Sequence, residues 1–150
     1  PTFTENGSAV SLFSGASVST VEAGPSVKSL ALTVSDVGDG SNEILYIDGT
    51  AVALTNGNSV TTATNGMDVS VSVSGGTATI TIDKTAGISS AATQTLIDGL
   101  TYQDTSENPS TASRVVTLTS IQDTGGTSNG GVDTTSLSIG ATVTVVAVKE

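Results

Sequence analysis

The sequence predicts an all-β fold, a β-sandwich with Greek-key connections and one short helix, on three observations. Apolar residues alternate with polar ones along most of the chain, as where Val69, Val71 and Val73 stand between serines. Glycine and asparagine turn signals separate the short alternating segments. The last segment, near 135–148, is the longest. Such alternation is typical of antiparallel strands with one buried face. At 150 residues the chain is expected to form one domain, 1–150.

Strands are expected wherever the alternation persists between turn residues. The predicted strands lie near 10–13, 18–21, 27–35, 43–48, 51–55, 67–74, 77–83, 100–102, 114–122 and 135–148. The predicted turns are Gly24-Pro25, Asn56-Gly57-Asn58, Asn65-Gly66 and Gly125-Gly126.

One hairpin can be placed in register from the sequence. Gly75-Gly76 is a two-residue turn that accepts positive φ. Counting outward from this turn pairs Val71 with Ile80 and puts the apolar residues on one face. The same register places Asp68 opposite Asp83, and like charges in that position destabilise a strand pair. We therefore expect the strands to splay there, with a cation between the two carboxylates as the alternative.

One segment breaks the alternation and predicts a short helix near 91–98. It contains good helix formers and ends at Gly99, a residue typical of helix C-termini. Ser89 or Ser90 is the expected N-cap.

The composition excludes several classes of function. The chain has no cysteine and no histidine, which excludes disulfides, zinc–cysteine sites and the ordinary serine triad. The formal net charge of −10 disfavours nucleic acid as a partner, because phosphate binding depends on lysine and arginine. No segment is long and apolar enough for membrane insertion. The opening residues are already in register with a fold, so we expect one segment of a longer polypeptide.

Two functions other than a structural role are considered, a glycosidase and a ligand-binding module. Asp104 and Glu107 could act as paired carboxylates on a glycosidic bond, but the chain has little aromatic surface for a substrate cleft. We therefore expect no enzymatic activity. The second reading is a ligand-binding sandwich for carbohydrate or protein, which shares this architecture.

The densest group of acidic residues precedes the predicted strand at 43–48. Asp36, Asp39, Asn42 and Glu43 alternate with glycines, and a tight turn can direct several such oxygens at one calcium ion. The same residue types also form ordinary solvated turns. The segment by itself leaves both interpretations open.

Several segments together resemble cadherin repeats. The acidic loop 36–42 runs into a strand bearing a tyrosine, and the strand from Arg114 ends in Asp123 before glycines. The final strand, the opening residues around Glu5 and the acidic loop 104–109 follow in matching order. The chain is similar to the bacterial cadherin-like extender repeats of giant secreted RTX-type adhesins.

The resemblance implies a calcium-stiffened spacer at the cell surface, outside the cell. The partners would be neighbouring repeats of the same polypeptide, and the isolated domain would be monomeric. Calcium would be the cofactor, bound at the two ends of the sandwich. The implied ligands are Asp36, Asp39, Asn42 and Asp123 at the N-terminal pole, and Glu5, Asp104 and Glu107 at the C-terminal pole.

Overall fold

The computed structural model describes residues 1–13, 27–123 and 134–148, without the side chains of Ser90, Asp123 and 134–137. The predicted strand at 18–21 and the turns at Gly24-Pro25 and Gly125-Gly126 lie outside these residues.

The described strands form two sheets, which confirms the all-β sandwich. A large sheet has the order β1-β11-β10-β3-β8-β7-β6, and a small sheet has the order β2-β9-β4-β5. The strands are β1 (Thr2–Thr4), β2 (Val10–Ser11), β3 (Val27–Val34), β4 (Glu43–Ile47), β5 (Thr50–Ala53), β6 (Ser59–Thr61), β7 (Asp68–Ser74), β8 (Thr77–Ile88), β9 (Thr101–Asp104), β10 (Arg114–Asp123) and β11 (Thr134–Val146).

The connections are of the Greek-key type. The hairpin-linked strands β6, β7 and β8 lie beside β3, which precedes them by a long connection through the small sheet. The short strands β1 and β6 were not predicted, because three residues are too few to show a period. Strand β8 extends beyond the predicted 77–83, because Ile88 still pairs with Val27 of β3.

The core lies between the two sheets and consists of the inward-facing residues of the alternating strands. Leu32, Ile80 and Val116 of the large sheet are fully buried, as are Leu45 and Ile47 of the small sheet. The rings of Phe3 and Tyr102 also meet across the sheets, edge to face, with centroids 6.0 Å apart.

The predicted hairpin register is confirmed. Val71 pairs with Ile80 across the Gly75-Gly76 turn, and both are buried. The expected splaying was wrong, because Asp68 and Asp83 remain paired. Both carboxylates are exposed, so water screens their repulsion, and β8 is also held by β3 on its other side.

The predicted helix is confirmed as α1 (Ser90–Asp98), with Ser89 as the N-cap. The Ser89 hydroxyl accepts a hydrogen bond from the Ala92 amide at 3.0 Å. Gly99 ends the helix with a φ of −86°, outside the left-handed conformation of the usual C′ glycine. A Cβ at Gly99 would approach the Thr95 carbonyl oxygen to 3.2 Å, so space favours glycine there. Among the described residues, no helix combines the length and apolar character needed to cross a membrane.

We predict that Ile80→Ala lowers the free energy of unfolding by about 2–5 kcal/mol, because it leaves a cavity between the sheets. Thr79→Ala, at the exposed neighbouring position, should cost less than about 1 kcal/mol. Urea unfolding of both variants measures the difference. Equal losses for the two variants would contradict the placement of Ile80 in the core.

Candidate functional site

Three charged residues occupy inward-facing strand positions at one end of the sandwich. Glu43 begins β4, Asp104 ends β9 and Arg114 begins β10. Glu43 and Arg114 have no exposed surface, and Asp104 is 1% exposed. Glu43 and Asp104 are direct cross-strand partners in the small sheet, whereas Arg114 belongs to the large sheet. The group therefore connects the two sheets through charged side chains.

Arg114 uses all five N–H groups of its guanidinium. Nε donates to Glu43 Oε1 at 2.8 Å. Nη1 donates to the carbonyl oxygens of Ser110 and Ala112, at 2.7 and 2.6 Å. Nη2 donates to Asp39 Oδ2 at 3.1 Å and to Ser110 Oγ at 2.8 Å. Burial opposes the charge, but the hydrogen bond to Glu43 and the neighbouring negative groups raise the pKa of Arg114.

Glu43 is equally well satisfied as an acceptor. Its Oε1 accepts from Arg114 and from the Tyr102 hydroxyl, the latter at 2.5 Å. Its Oε2 accepts from the backbone amides of Gly38 and Asp39 at 2.7 and 2.9 Å. Burial and the hydrogen bond to Glu43 raise the pKa of the Tyr102 phenol, so this hydroxyl stays a donor. The four hydrogen bonds fill the lone-pair positions of the Glu43 carboxylate.

Asp104 is the least satisfied member of the group. Its Oδ1 accepts from the Ser106 amide at 3.0 Å, whereas Oδ2 lies 3.7 Å from Arg114 Nη2 and accepts no hydrogen bond. Burial, followed by a hydrogen bond shared with Asp39, raises the pKa of Asp104 to about 7. A proton on Asp104 gives its carboxyl a donor that faces Asp39, which resolves the unpaired oxygen.

Asp39 is the ionised member of the carboxyl pair that it forms with Asp104. Burial opposes its ionisation, but hydrogen bonds from Asp104 and Ser110 and the nearby Arg114 guanidinium hold its pKa below the usual range. The Ser110 amide donates to Asp39 Oδ2 at 2.9 Å. Asp39 thus joins the loop before β4 to the loop before β10.

The three carboxylates are close enough to share a metal ion. One oxygen each from Asp39, Glu43 and Asp104 lies within 4.8 Å of the others. The guanidinium of Arg114 contacts all three residues, however, and it already supplies a positive charge to them. The same oxygens would be needed for calcium, so this inner group does not fit the ion while Arg114 is in place. We call Asp39, Glu43, Asp104 and Arg114 the inner cluster.

The implied ligand residues are distributed differently from the expected two poles. Strand pairing places Val116 opposite Val34, and Asp123 opposite Val27, at the other end of β10. Asp123 is therefore at the opposite end of the sandwich from the loop 36–42, and its grouping with that loop was wrong. The grouping of Asp104 with a separate pole was also wrong, because Asp104 pairs with Glu43.

One end of the sandwich holds the remaining implied ligands, and we call it the acidic pole. Glu5 follows β1, whose last residue, Thr4, pairs with Val146 near that end. The residues of the acidic pole are Glu5, Asp36, Asp39, Asn42, Asp104 and Glu107. Their roles as metal ligands stay predictions.

Glu5 has an unusual environment at this pole. Its side chain is 3% exposed, and Oε1 accepts a hydrogen bond from the Val148 amide at 2.8 Å. Its second oxygen, Oε2, is buried and accepts no hydrogen bond. A buried carboxylate oxygen without a donor is costly, so this position favours a cation.

Sequence reasoning grouped Glu43 with the acidic loop 36–42 but left it out of the implied ligand set, and it did not select Arg114. The alternation of the strands did mark both residues, because it places each of them at an inward-facing position. Glu43 shares its face with Leu45 and Ile47, and Arg114 shares its face with Val116 and Leu118. A charged residue at a core position of an alternating strand predicts a buried partner of opposite charge.

A second polar feature lies between α1 and the turn that joins β4 to β5. A cavity of about 380 Å³ is lined there by polar and aliphatic side chains, including Asp48, Thr64, Asn65 and Leu96. Asp48 is bound to neighbours already: its oxygens accept from the Thr62 hydroxyl and from both the amide and the side chain of Asn65. Asp48 therefore serves to hold the loop 62–67 against the β4–β5 turn.

The chain matches no protein-family model, and neither a curated protein nor a solved structure matches it. The resemblance to cadherin-like repeats therefore stays a prediction, and the geometry of the described residues is the basis for the proposals that follow.

We predict that stability falls as the pH rises from about 4 to about 7 because of Asp104. Its pKa is about 7 in the folded protein and about 3.9 in an unfolded chain, so the folded state binds the extra proton in this window. Asp104→Asn keeps a donor facing Asp39 and removes the titration. The variant should lose this downward slope when unfolding free energies are measured by urea at each pH.

Asp83→Asn is the matched control, since it makes the same charge change at an exposed carboxylate in the other half of the large sheet. It should retain the slope. A wild-type slope that persists in Asp104→Asn would show that Asp104 carries no proton.

Proposed function

We propose that this chain is a structural spacer domain of an extracellular bacterial adhesin, a calcium-stiffened repeat that holds a terminal binding domain away from the cell. In this role the domain carries tension between neighbouring repeats of the same polypeptide. One observation supports the proposal most directly, namely the arrangement of the first and last strands.

The first and last described strands lie side by side and run in the same direction. In β1, Thr2, Phe3 and Thr4 pair with Thr144, Val145 and Val146 of β11. Backbone hydrogen bonds flank this pairing, from the Thr144 amide to the Pro1 carbonyl at 2.9 Å and from the Glu5 amide to the Val146 carbonyl at 2.8 Å. The two strands form one edge of the large sheet.

Parallel terminal strands suit a domain under tension. A force that pulls the two ends of the chain apart acts along β1 and β11 in opposite directions, and it loads their hydrogen bonds together in shear. A lateral force would break such bonds one after another. Resistance to forced unfolding depends on the unfolding barrier, which is higher when several bonds must break at once.

The inner cluster adds support at the end where β11 leaves the sheet. Arg114 pairs directly with Val143 of β11, and its side chain is bound to Glu43 in the opposite sheet. Separation of the two sheets at this end would break the charge-assisted hydrogen bond between Arg114 and Glu43, so the cluster opposes it. The acidic pole is therefore braced across the sandwich as well as along its edge.

Calcium is proposed to act outside the inner cluster. The oxygen ligands that remain at the acidic pole come from Glu5, Asp36, Asn42 and Glu107. The buried and unpaired Oε2 of Glu5, next to the end of β11, is the observation that supports a cation there. Calcium would neutralise these carboxylates and limit the motion of the neighbouring repeat. Asp123, at the opposite pole, is proposed as a ligand of the other junction.

We predict that the domain resists a force applied between its two ends better than a force applied laterally. Single-molecule pulling through Pro1 and Val148 loads β1 and β11 in shear. Pulling through the C-terminus and a cysteine introduced by Ser74→Cys, beside the exposed turn at the far side of the large sheet, loads the strands laterally. The first geometry should require the higher unfolding force.

The Ser74→Cys protein should also be pulled through its two ends, and it should then match the wild type. Equal or lower resistance in the end-to-end geometry would contradict a load-bearing role.

We predict that calcium raises the melting temperature and that Glu5→Gln reduces this effect. Calcium at about one hundred times its dissociation constant would stabilise the folded state by about 2.7 kcal/mol. Melting curves in millimolar calcium and in chelator measure the shift. Asp83→Asn removes the same charge from the other half of the sheet and should leave the shift intact. A smaller shift in this variant would instead place the cation between Asp68 and Asp83. Equal melting temperatures of the wild type in calcium and in chelator would refute the calcium part of the proposal.

A further inference from the structure

We infer that Arg114 takes the place of a divalent cation within the inner cluster. Its positive charge binds Asp39, Glu43 and Asp104 together and excludes a metal ion from them. This inference goes beyond the spacer proposal and does not depend on it. It predicts that the inner cluster needs no metal to hold its carboxylates together.

The guanidinium performs the bridging that a metal ion would perform. It contacts an oxygen of Glu43 at 2.8 Å, of Asp39 at 3.1 Å and of Asp104 at 3.7 Å. These three residues come from different parts of the chain: the loop before β4, the start of β4 and the end of β9. Arg114 itself belongs to the opposite sheet, so one cation holds four segments together.

Admission of a metal ion would break several hydrogen bonds that hold the inner cluster together. Calcium ligands lie roughly 2.3–2.6 Å from the ion, so the ion would have to enter the space between the carboxylate oxygens that the guanidinium now faces. Arg114 would have to withdraw and leave the carbonyl oxygens of Ser110 and Ala112 without their donors. Glu43 would also have to exchange its hydrogen bonds, because both of its oxygens already accept two.

The charges support the same conclusion. The Arg114 guanidinium offsets one of the three carboxylate charges from within the cluster. The cluster therefore attracts a divalent ion less than three free carboxylates would. Like-charge repulsion from the buried guanidinium opposes the ion as well. Removal of the guanidinium should therefore convert the cluster into a metal site.

Terbium binding tests this inference, because Tyr102 donates its hydroxyl to Glu43 and can sensitise terbium luminescence at the cluster. Arg114→Met removes the charge and keeps most of the side-chain volume. We expect this variant to bind terbium at least about tenfold more tightly than the wild type. The gain should disappear in the double variant Arg114→Met/Asp104→Asn, and Tyr102→Phe should remove the luminescence but not the binding measured by calorimetry.

A second measurement keeps Arg114 in place and so does not depend on the folding of Arg114→Met. Asp104→Asn in that background should leave terbium affinity unchanged, because Asp104 faces Arg114 and not the metal. A loss of about tenfold or more in this variant would overturn the inference. A folded Arg114→Met protein, verified by circular dichroism, that gains no terbium affinity would overturn it too.

Discussion

The buried guanidinium of Arg114 is the interaction on which this end of the sandwich depends. A buried charge is tolerated only when it is paired and its donors are bound, and Arg114 achieves this by drawing in Glu43 and Asp39 together with two carbonyl oxygens. Because those partners belong to the opposite sheet and to both flanking loops, the requirements of one side chain determine the conformation of the whole pole. Loss of any one partner would leave another group buried and unpaired.

The cluster also explains why an acidic protein can keep a compact acidic pole. With a formal net charge of −10, the chain has few positive side chains that can neutralise its carboxylates. One of them is buried where three carboxylates meet, and a shared proton between Asp39 and Asp104 reduces the repulsion further. Asp36 and Glu107, which lie outside the cluster at the same pole, are exposed to solvent.

The edge formed by β1 and β11 and the inner cluster serve the same proposed role at different places. In that role the parallel strands would resist tension along the sheet, and the cluster would resist separation of the two sheets where β11 ends. Glu5 lies between them, since it follows β1 and accepts a hydrogen bond from the Val148 amide beyond β11. A cation bound by Glu5 would therefore act directly on the segment through which the load leaves the domain.

The sequence by itself determined the features that depend on neighbouring residues. The period of two predicted most strands, and the Gly75-Gly76 turn set the register of Val71 with Ile80. Ser89 and Ser90 were the two candidate N-caps of the helix, and Ser89 is the one that caps it, because turn and cap geometry are local. Only the tertiary structure decided which loops meet. Asp123 and the loop 36–42 were assigned to one pole, but the pairing of β10 with β3, remote in sequence, separates them by the length of a strand. The charges at inward positions of β4, β9 and β10 were visible in the sequence, but their pairing depends on how the two sheets stack, and no local pattern encodes that arrangement.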